Sequence, residues 1–270
     1  MILNSILGIF KGKLKLKMKK TAFITGATSG IGEATAYEFA KHGIKLVLCG
    51  RRLNRLKTIK DALERLTDVH ILNFDVRNRQ ETLEAITSLP DNFSQIDILV
   101  NNAGNAHGLD PIQHGDLDDW DAMMDINVKG LLYVSKAIIP QMTARKSGHI
   151  INIGSSAGKE VYPKGNVYCG SKHAVLAITE GMRLDLNPYG IKVGAINPGL
   201  VETEFSKVRF KGGVEADGVY TGFKALQAKD VAEVIYFAVS RPAHVNIADV
   251  LMFCTAQANS TIVKKETELL

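Results

Sequence analysis

Little in this sequence could staple the chain or hold a metal ion. Cysteine occurs three times, at Cys49, Cys169 and Cys254, without CxxC spacing. An odd, dispersed set of that kind excludes a disulfide framework or a zinc knuckle and suits a reducing cytoplasm, the expected location. The seven histidines are scattered and form no HExxH pair, so no metal centre is expected. No apolar run reaches the ~18 residues of a membrane-spanning helix. Excess positive charge is also scarce outside one segment. Residues 11–20 hold six lysines (Lys11, Lys13, Lys15, Lys17, Lys19 and Lys20) against a formal net charge of +5, which leaves −1 for the rest. A nucleic-acid partner is therefore not expected.

What is present has the balance of a folded domain, with 46% apolar and 23% charged residues. The first ten residues, MILNSILGIF, are mostly apolar and precede the lysines, the reverse of a secretory signal. Residues 1–17 read as a disordered or artefactual extension before a single domain over 18–270, with Met18 an alternative start. Contact of residues 1–20 with anionic lipid is the lesser alternative.

Beyond residue 20, short apolar runs alternate with amphipathic stretches. Buried strands are predicted at 21–25, 45–49, 69–74, 96–100, 149–153, 191–196 and 249–254. Their near-continuous Val/Ile/Leu content suits strands covered on both faces. Helices are predicted near 31–42, 52–65, 79–88, 117–145, 166–187 and 228–240. The implied class is α/β: a single Rossmann-type doubly wound sheet of about seven parallel strands with helices on both faces. The long break at 204–227 reads as a lid over a site or as a plain surface insertion.

Residues 25–32, TGATSGIG, place Gly26, Gly30 and Gly32 between the first strand and the first helix. Glycines there allow a sharp turn and close approach of a pyrophosphate to backbone N–H groups at a helix start. About twenty residues on, where an acidic residue would bind the 2′-hydroxyl of NAD, stand Arg51 and Arg52. Guanidinium groups pair with phosphate, so NADP is the expected cofactor; two solvated charges at a helix start are the plainer reading. Asp75 is a candidate acceptor for an adenine amine, or simply a helix cap. Asn101, Asn102, Ala103 and Gly104 close the fourth strand, where a cofactor ribose would lie.

Tyr168 and Lys172 are four residues apart, on one helix face, and Ser155 ends the fifth strand. A cation about 5 Å away, in an effective dielectric of about 20, favours phenolate by about 3 kcal/mol, or about two pK units. On that reading Tyr168 exchanges a proton with a carbonyl or alcohol oxygen, Ser155 orients the same oxygen, and Lys172 also holds a ribose.

With TGxxxGxG (25–32), NNAG (101–104), Asn127, Ser155, YxxxK (168–172) and Pro198-Gly199 in this order, the sequence resembles the short-chain dehydrogenase/reductase family over about residues 20–256. The resemblance implies NADP-linked hydride transfer with Tyr168 as acid/base, Lys172 and Ser155 assisting, and Asn127 anchoring a water relay. It extends the cofactor contacts to Thr28, Ser29, Ile31, Val76, Asn102, Ala103, Gly104, Pro198, Gly199, Val201 and Thr203. Segments such as DVRNR (75–79), GHIINIGSSAG (148–158) and PGLVETEFSKVRFKG (198–212) are similar to the NADP-dependent 3-hydroxy acid and serine/L-allo-threonine dehydrogenases. That branch implies a small hydroxy or amino-hydroxy acid substrate. Its carboxylate needs a cation; Lys207, Arg209 and Lys211 are available, with Arg209 the chosen clamp. A broad carbonyl or 3-oxoacyl reductase and a non-catalytic NADP-binding sensor or scaffold are the alternatives. Family members commonly pair long helices such as 117–145 and 166–187, which implies a homotetramer. The three cysteines read as packing residues.

Overall fold

The computed structural model describes residues 19–266, so the expected extension over 1–17 lies outside the described residues. The first half of the chain alternates β1 (Thr21–Ile24), α1 (Gly30–Lys41), β2 (Lys45–Gly50), α2 (Leu53–Leu63), β3 (Val69–Asn73), α3 (Arg79–Thr87), the short α4 (Asp91–Ser94) and β4 (Ile98–Asn101). After it come α5 (Leu117–Met124), α6 (Leu131–Arg145), β5 (His149–Ile153), α7 (Asn166–Leu186), β6 (Lys192–Pro198) and the two-residue β7 (Val201–Glu202). The chain then adds α8 (Phe205–Arg209), β8 (Leu226–Gln227), α9 (Ala228–Ser240) and β9 (Asp249–Met252).

Seven strands form one parallel sheet, as the alternation of runs predicts, and their order is β3-β2-β1-β4-β5-β6-β9. Side chains of successive strand residues leave opposite faces. Ala22, Ile24, Leu46 and Leu48 accordingly enter one core with Phe39 of α1, Leu56 of α2 and Ile235 of α9. Phe23, Val47 and Cys49 enter the other with Ile86 of α3, Ile138 and Met142 of α6 and Leu186 of α7. Cys49, Cys169 and Cys254 are all buried free thiols, in keeping with packing roles.

The strand order reverses between β1 and β4, and in open α/β sheets a crevice opens beyond the carboxyl ends at such a point. The ends of β1, β2, β4, β5 and β6 surround it. Two expectations need correction. The helix expected over 117–145 is interrupted by a π-helical turn at Asp125–Gly130, invisible to an apolar pattern that runs on through it. The cap alternative for Asp75 also fails: α3 is capped by Asn78, whose side chain accepts from Gln80 N and Glu81 N. The break at 204–227 is partly ordered by α8 and by β8, which pairs with β7.

Candidate active site

The loop leaving β1 is built for close approach. Gly26 has φ +64°, and a Cβ there would lie 2.9 Å from Ala103 Cα. Thr25 Oγ1 accepts from the N–H groups of Asn102 and Ala103, both at 2.9 Å, while Asn102 Nδ2 donates to the carbonyls of Thr25 and Gly26. These bonds weld the glycine loop to the NNAG segment. Gly32 is packed inside that weld. A Cβ on it would meet Asn102 Nδ2 and Gly26 O at 2.4 Å. Gly26, Thr28, Ser29, Gly30 and Ile31 line a cleft of about 560 Å³ together with Arg51, Arg52, Asp75, Val76, Asn102, Ala103 and Gly104. The cleft continues along Ser155, Tyr168, Lys172, Pro198, Gly199, Val201, Thr203 and Arg209.

The two arginines after β2 differ. Arg51 is 57% exposed, and among the described residues its one acidic partner is Asp75 at 3.7 Å. Arg52 is engaged by Thr28 Oγ1, the Thr28 carbonyl, Ser29 Oγ and the Glu204 carboxylate. Asp75 is held by Arg77, at 2.7 Å. Its carboxyl lies below the usual range: burial raises it, and the hydrogen bonds from Arg77 together with the Arg77 and Arg51 charges outweigh that.

At the other end, Ser155 stands in extended backbone just past β5, where its hydroxyl accepts from Ala157 N. Tyr168 and Lys172 are buried on α7. Lys172 Nζ donates to the Ile153 carbonyl at 3.0 Å, tying the helix to the end of β5. A Cβ on Gly104 would lie 2.9 Å from Asn127 Oδ1 and 3.5 Å from Lys172 Nζ, so the NNAG turn touches both. Asn127 sits in the π-helical turn, 1% exposed, behind the cleft wall. It grips the backbone of Asn105 from both sides: Oδ1 accepts from Asn105 N at 2.8 Å and Nδ2 donates to Asn105 O at 2.9 Å. Nδ2 also donates to Ser171 Oγ.

The electrostatics depart from the sequence expectation. Burial raises the Tyr168 phenol above its ordinary value, and nearby Tyr162 adds to this, while the Ser155 hydroxyl and the Arg209 charge pull the other way. Lys172, directed at Ile153 O, is itself pushed down to about 8 by burial. Desolvation, not the Lys172 charge expected from the sequence, sets the direction for the phenol.

Of the three cations proposed for a carboxylate, Arg209 alone lines the cleft. Lys207 points to solvent, and Lys211 pairs with Asp119 at 3.0 Å. Arg209 Nε donates to the Gly108 carbonyl and Nη1 to Tyr162 Oη. Its guanidinium carbon lies 5.6 Å from the Tyr168 ring centre. Among the described residues it has no acidic partner. Sequence reasoning missed Asn105, Tyr162, Glu204, Phe205, Gln257 and Ser260, which also line the cleft. Asn105 directly follows the NNAG run, Glu204 and Phe205 lie within the quoted 198–212 segment and Tyr162 stands six residues before Tyr168, whereas Gln257 and Ser260 lie in no recognised motif.

A glycine cradle, a helix N-terminus and an open guanidinium at one end, with hydroxyls and an ammonium at the other, fit a dinucleotide phosphorylated on its adenosine ribose. The short chain dehydrogenase family profile matches residues 20–212. The chain is 44% identical over 237 residues to an NADP-dependent 3-hydroxy acid dehydrogenase of Salmonella typhi, covering 87% of this chain and 95% of that protein. It is 43% identical over 231 residues to a serine 3-dehydrogenase of Rhizobium radiobacter, covering 85% and 92%. The closed form of a serine dehydrogenase complexed with NADP+ superposes with a TM-score of 0.86 at 41% identity, covering 92% of this chain and 100% of that one. Motif order, fold and these likenesses agree, and the chain belongs to the short-chain dehydrogenase/reductase family.

Proposed function

We propose that this protein transfers hydride between NADP(H) and the 3-hydroxyl or 3-oxo group of a small free acid of the serine, L-allo-threonine or 3-hydroxypropionate type. An NADP-dependent oxidoreductase of hydroxy acids is the class its relatives carry in their names. The observation that supports a free acid is Arg209, a guanidinium without an acidic partner among the described residues, beside the Tyr168 ring in the same cleft.

In this reading the glycine loop and α1 hold the pyrophosphate, Arg51 meets the 2′-phosphate, and the NNAG turn and Lys172 face a ribose. The cofactor, when bound, supplies or accepts the hydride. Tyr168 donates or takes the proton at the reacting oxygen, Ser155 orients that oxygen, and Asn127 fixes the turn through which a water relay would reach Lys172. Arg209 binds the carboxylate in a setting where neutral ketones find no matching charge.

Purified protein with NADP+ should reduce it in the presence of serine, threonine isomers, 3-hydroxypropionate or 3-hydroxyisobutyrate. Neutral ketones and 3-oxoacyl thioesters converted with equal kcat/KM would favour a broad carbonyl or 3-oxoacyl reductase. No turnover with any of them, alongside NADPH binding, would favour a sensor.

A homotetramer in the cytoplasm is part of the same proposal. Exposed apolar side chains at Leu117, Leu132 and Leu184 on α5, α6 and α7 support assembly, with light scattering as the test. Among the described residues no helix is long and apolar enough to cross a membrane.

A further inference from the structure

The relatives' names say which cofactor is bound; they do not say how the two adjacent arginines divide the work. With Arg51 taken to meet the 2′-phosphate as above, we propose that Arg52, Arg55 and Glu204 do different work: they form a strap that fastens the segment after β7 to the glycine loop and retains the dinucleotide whether or not it is phosphorylated. The proposal rests on the cofactor cleft assigned above, and the two halves of the claim have separate tests.

A guanidinium has five N–H donors. Arg52 commits Nε to Thr28 Oγ1 at 3.1 Å, Nη2 to the Thr28 carbonyl at 3.1 Å and to Ser29 Oγ at 2.7 Å, and Nη1 to Glu204 Oε2 at 2.7 Å. To present a bidentate fork to a phosphate it would have to give up bonds that shape the glycine loop. Among the described residues Arg51 has no such commitments: its one ion pair, with Asp75, is 3.7 Å long. Charge-assisted recognition of a phosphate therefore falls to Arg51.

Glu204 uses both carboxylate oxygens, Oε2 for Arg52 and Oε1 for Arg55 at 2.7 Å. Arg55, one turn along α2, also reaches the Thr28 carbonyl at 3.4 Å. Glu204 follows Thr203, whose methyl would stand 3.2 Å from a Cβ on Gly30, the first residue of α1. The chain thus passes over the helix start that cradles the pyrophosphate, and the carboxylate bolts it down on the far side. From Glu204 the chain enters α8, which ends at Arg209 and closes on Gly108. The strap fixes the near end of the same helix whose far end carries the proposed carboxylate clamp.

The alternative is that Glu204 competes with the phosphate for Arg52. The two differ in sign. A strap lost should release phosphorylated and unphosphorylated dinucleotides faster by one common factor; a competitor lost should tighten only the phosphorylated one.

Glu204→Gln keeps the shape and removes the charge of a side chain that is 39% exposed, so folding is not at stake. Dissociation of NADPH and of NADH from the full-length protein would be followed by stopped-flow fluorescence of the reduced nicotinamide. We expect both rates to rise about three- to tenfold, with the preference for NADPH over NADH unchanged. Slower NADPH release, a changed preference, or unaltered rates would each overturn the strap. Arg51→Ala should collapse the preference while leaving the NADH dissociation rate as it was. Retention of the preference in that variant would overturn the assignment of the phosphate to Arg51, independently of the strap.

Discussion

Arg209 and Gly108 hold each other by reciprocal hydrogen bonds. The Gly108 N–H donates to the Arg209 carbonyl at 2.9 Å, and Arg209 Nε donates to the Gly108 carbonyl at 3.0 Å. Helix α8 is thereby latched to the loop after β4, and the guanidinium is fixed above Tyr168 rather than left to sample solvent. A side chain so positioned can act as a clamp, a latch, or both.

Arg209→Met separates these roles because it keeps the bulk and removes the charge. Charged hydrogen bonds contribute about 1.5–3 kcal/mol, so kcat/KM for free acids should fall about ten- to a hundredfold. Neutral ketones should fall far less. A loss of equal size for both classes would make Arg209 only a latch.

Tyr168→Phe removes the proposed proton donor and leaves the ring packed against Phe205. Turnover should drop by a factor of about 10²–10⁴ while NADPH affinity, measured by fluorescence titration, is unchanged. Undiminished turnover would remove Tyr168 from the chemistry.

Burial of Lys172 should appear in stability as well as in catalysis. Its folded-state value of about 8 lies below the ordinary 10.5, so between these pH values the unfolded chain binds more protons. The penalty for the buried ammonium is full below about pH 8 and is relieved as pH rises toward 10.5. Tyr168, shifted upward, acts in the opposite sense and only above its ordinary value near 10. Lys172→Met should therefore be inactive yet more stable than the wild type near neutral pH, with the advantage shrinking by about pH 9.5. Urea denaturation at both pH values checks this. An advantage independent of pH would contradict the assignment.

Gly32→Ala tests the weld between the glycine loop and the NNAG turn. The added methyl meets a backbone carbonyl and Asn102 at 2.4 Å. We expect a cost of about 1–3 kcal/mol, a melting temperature lower by several degrees, and weaker NADPH binding. Wild-type melting and affinity would show that the weld is dispensable.

The fold was legible because buried parallel strands announce themselves as unbroken apolar runs, and TAFI, KLVLC and HIINI leave no competing reading. The glycine loop and the Ser155, Tyr168, Lys172 set were legible because their spacing is local. Contacts made across long stretches of chain were not. Arg52 and Glu204 are 152 residues apart, and neither residue type distinguishes a strap from a solvated charge. Gln257 and Ser260 reach the cleft from the segment after β9, which carries no motif. The π-helical turn around Asn127 was hidden by a periodicity that its extra residue barely disturbs. The direction of the Tyr168 shift failed for another reason: charge proximity can be read from spacing, whereas burial depends on Tyr162 and the rest of the surrounding cluster.

The reversal of strand order between β1 and β4 makes the reactive centre a joint product of both halves of the polypeptide. A nascent chain that has built only its first three strands owns the glycines and arginines proposed to hold the nucleotide but none of the side chains proposed to handle the proton. Those arrive with β5 and α7, from the opposite flank of the seam. Turnover in this enzyme therefore reports that synthesis has gone well past the midpoint and that the two flanks have joined, and truncated translation products are silent by construction.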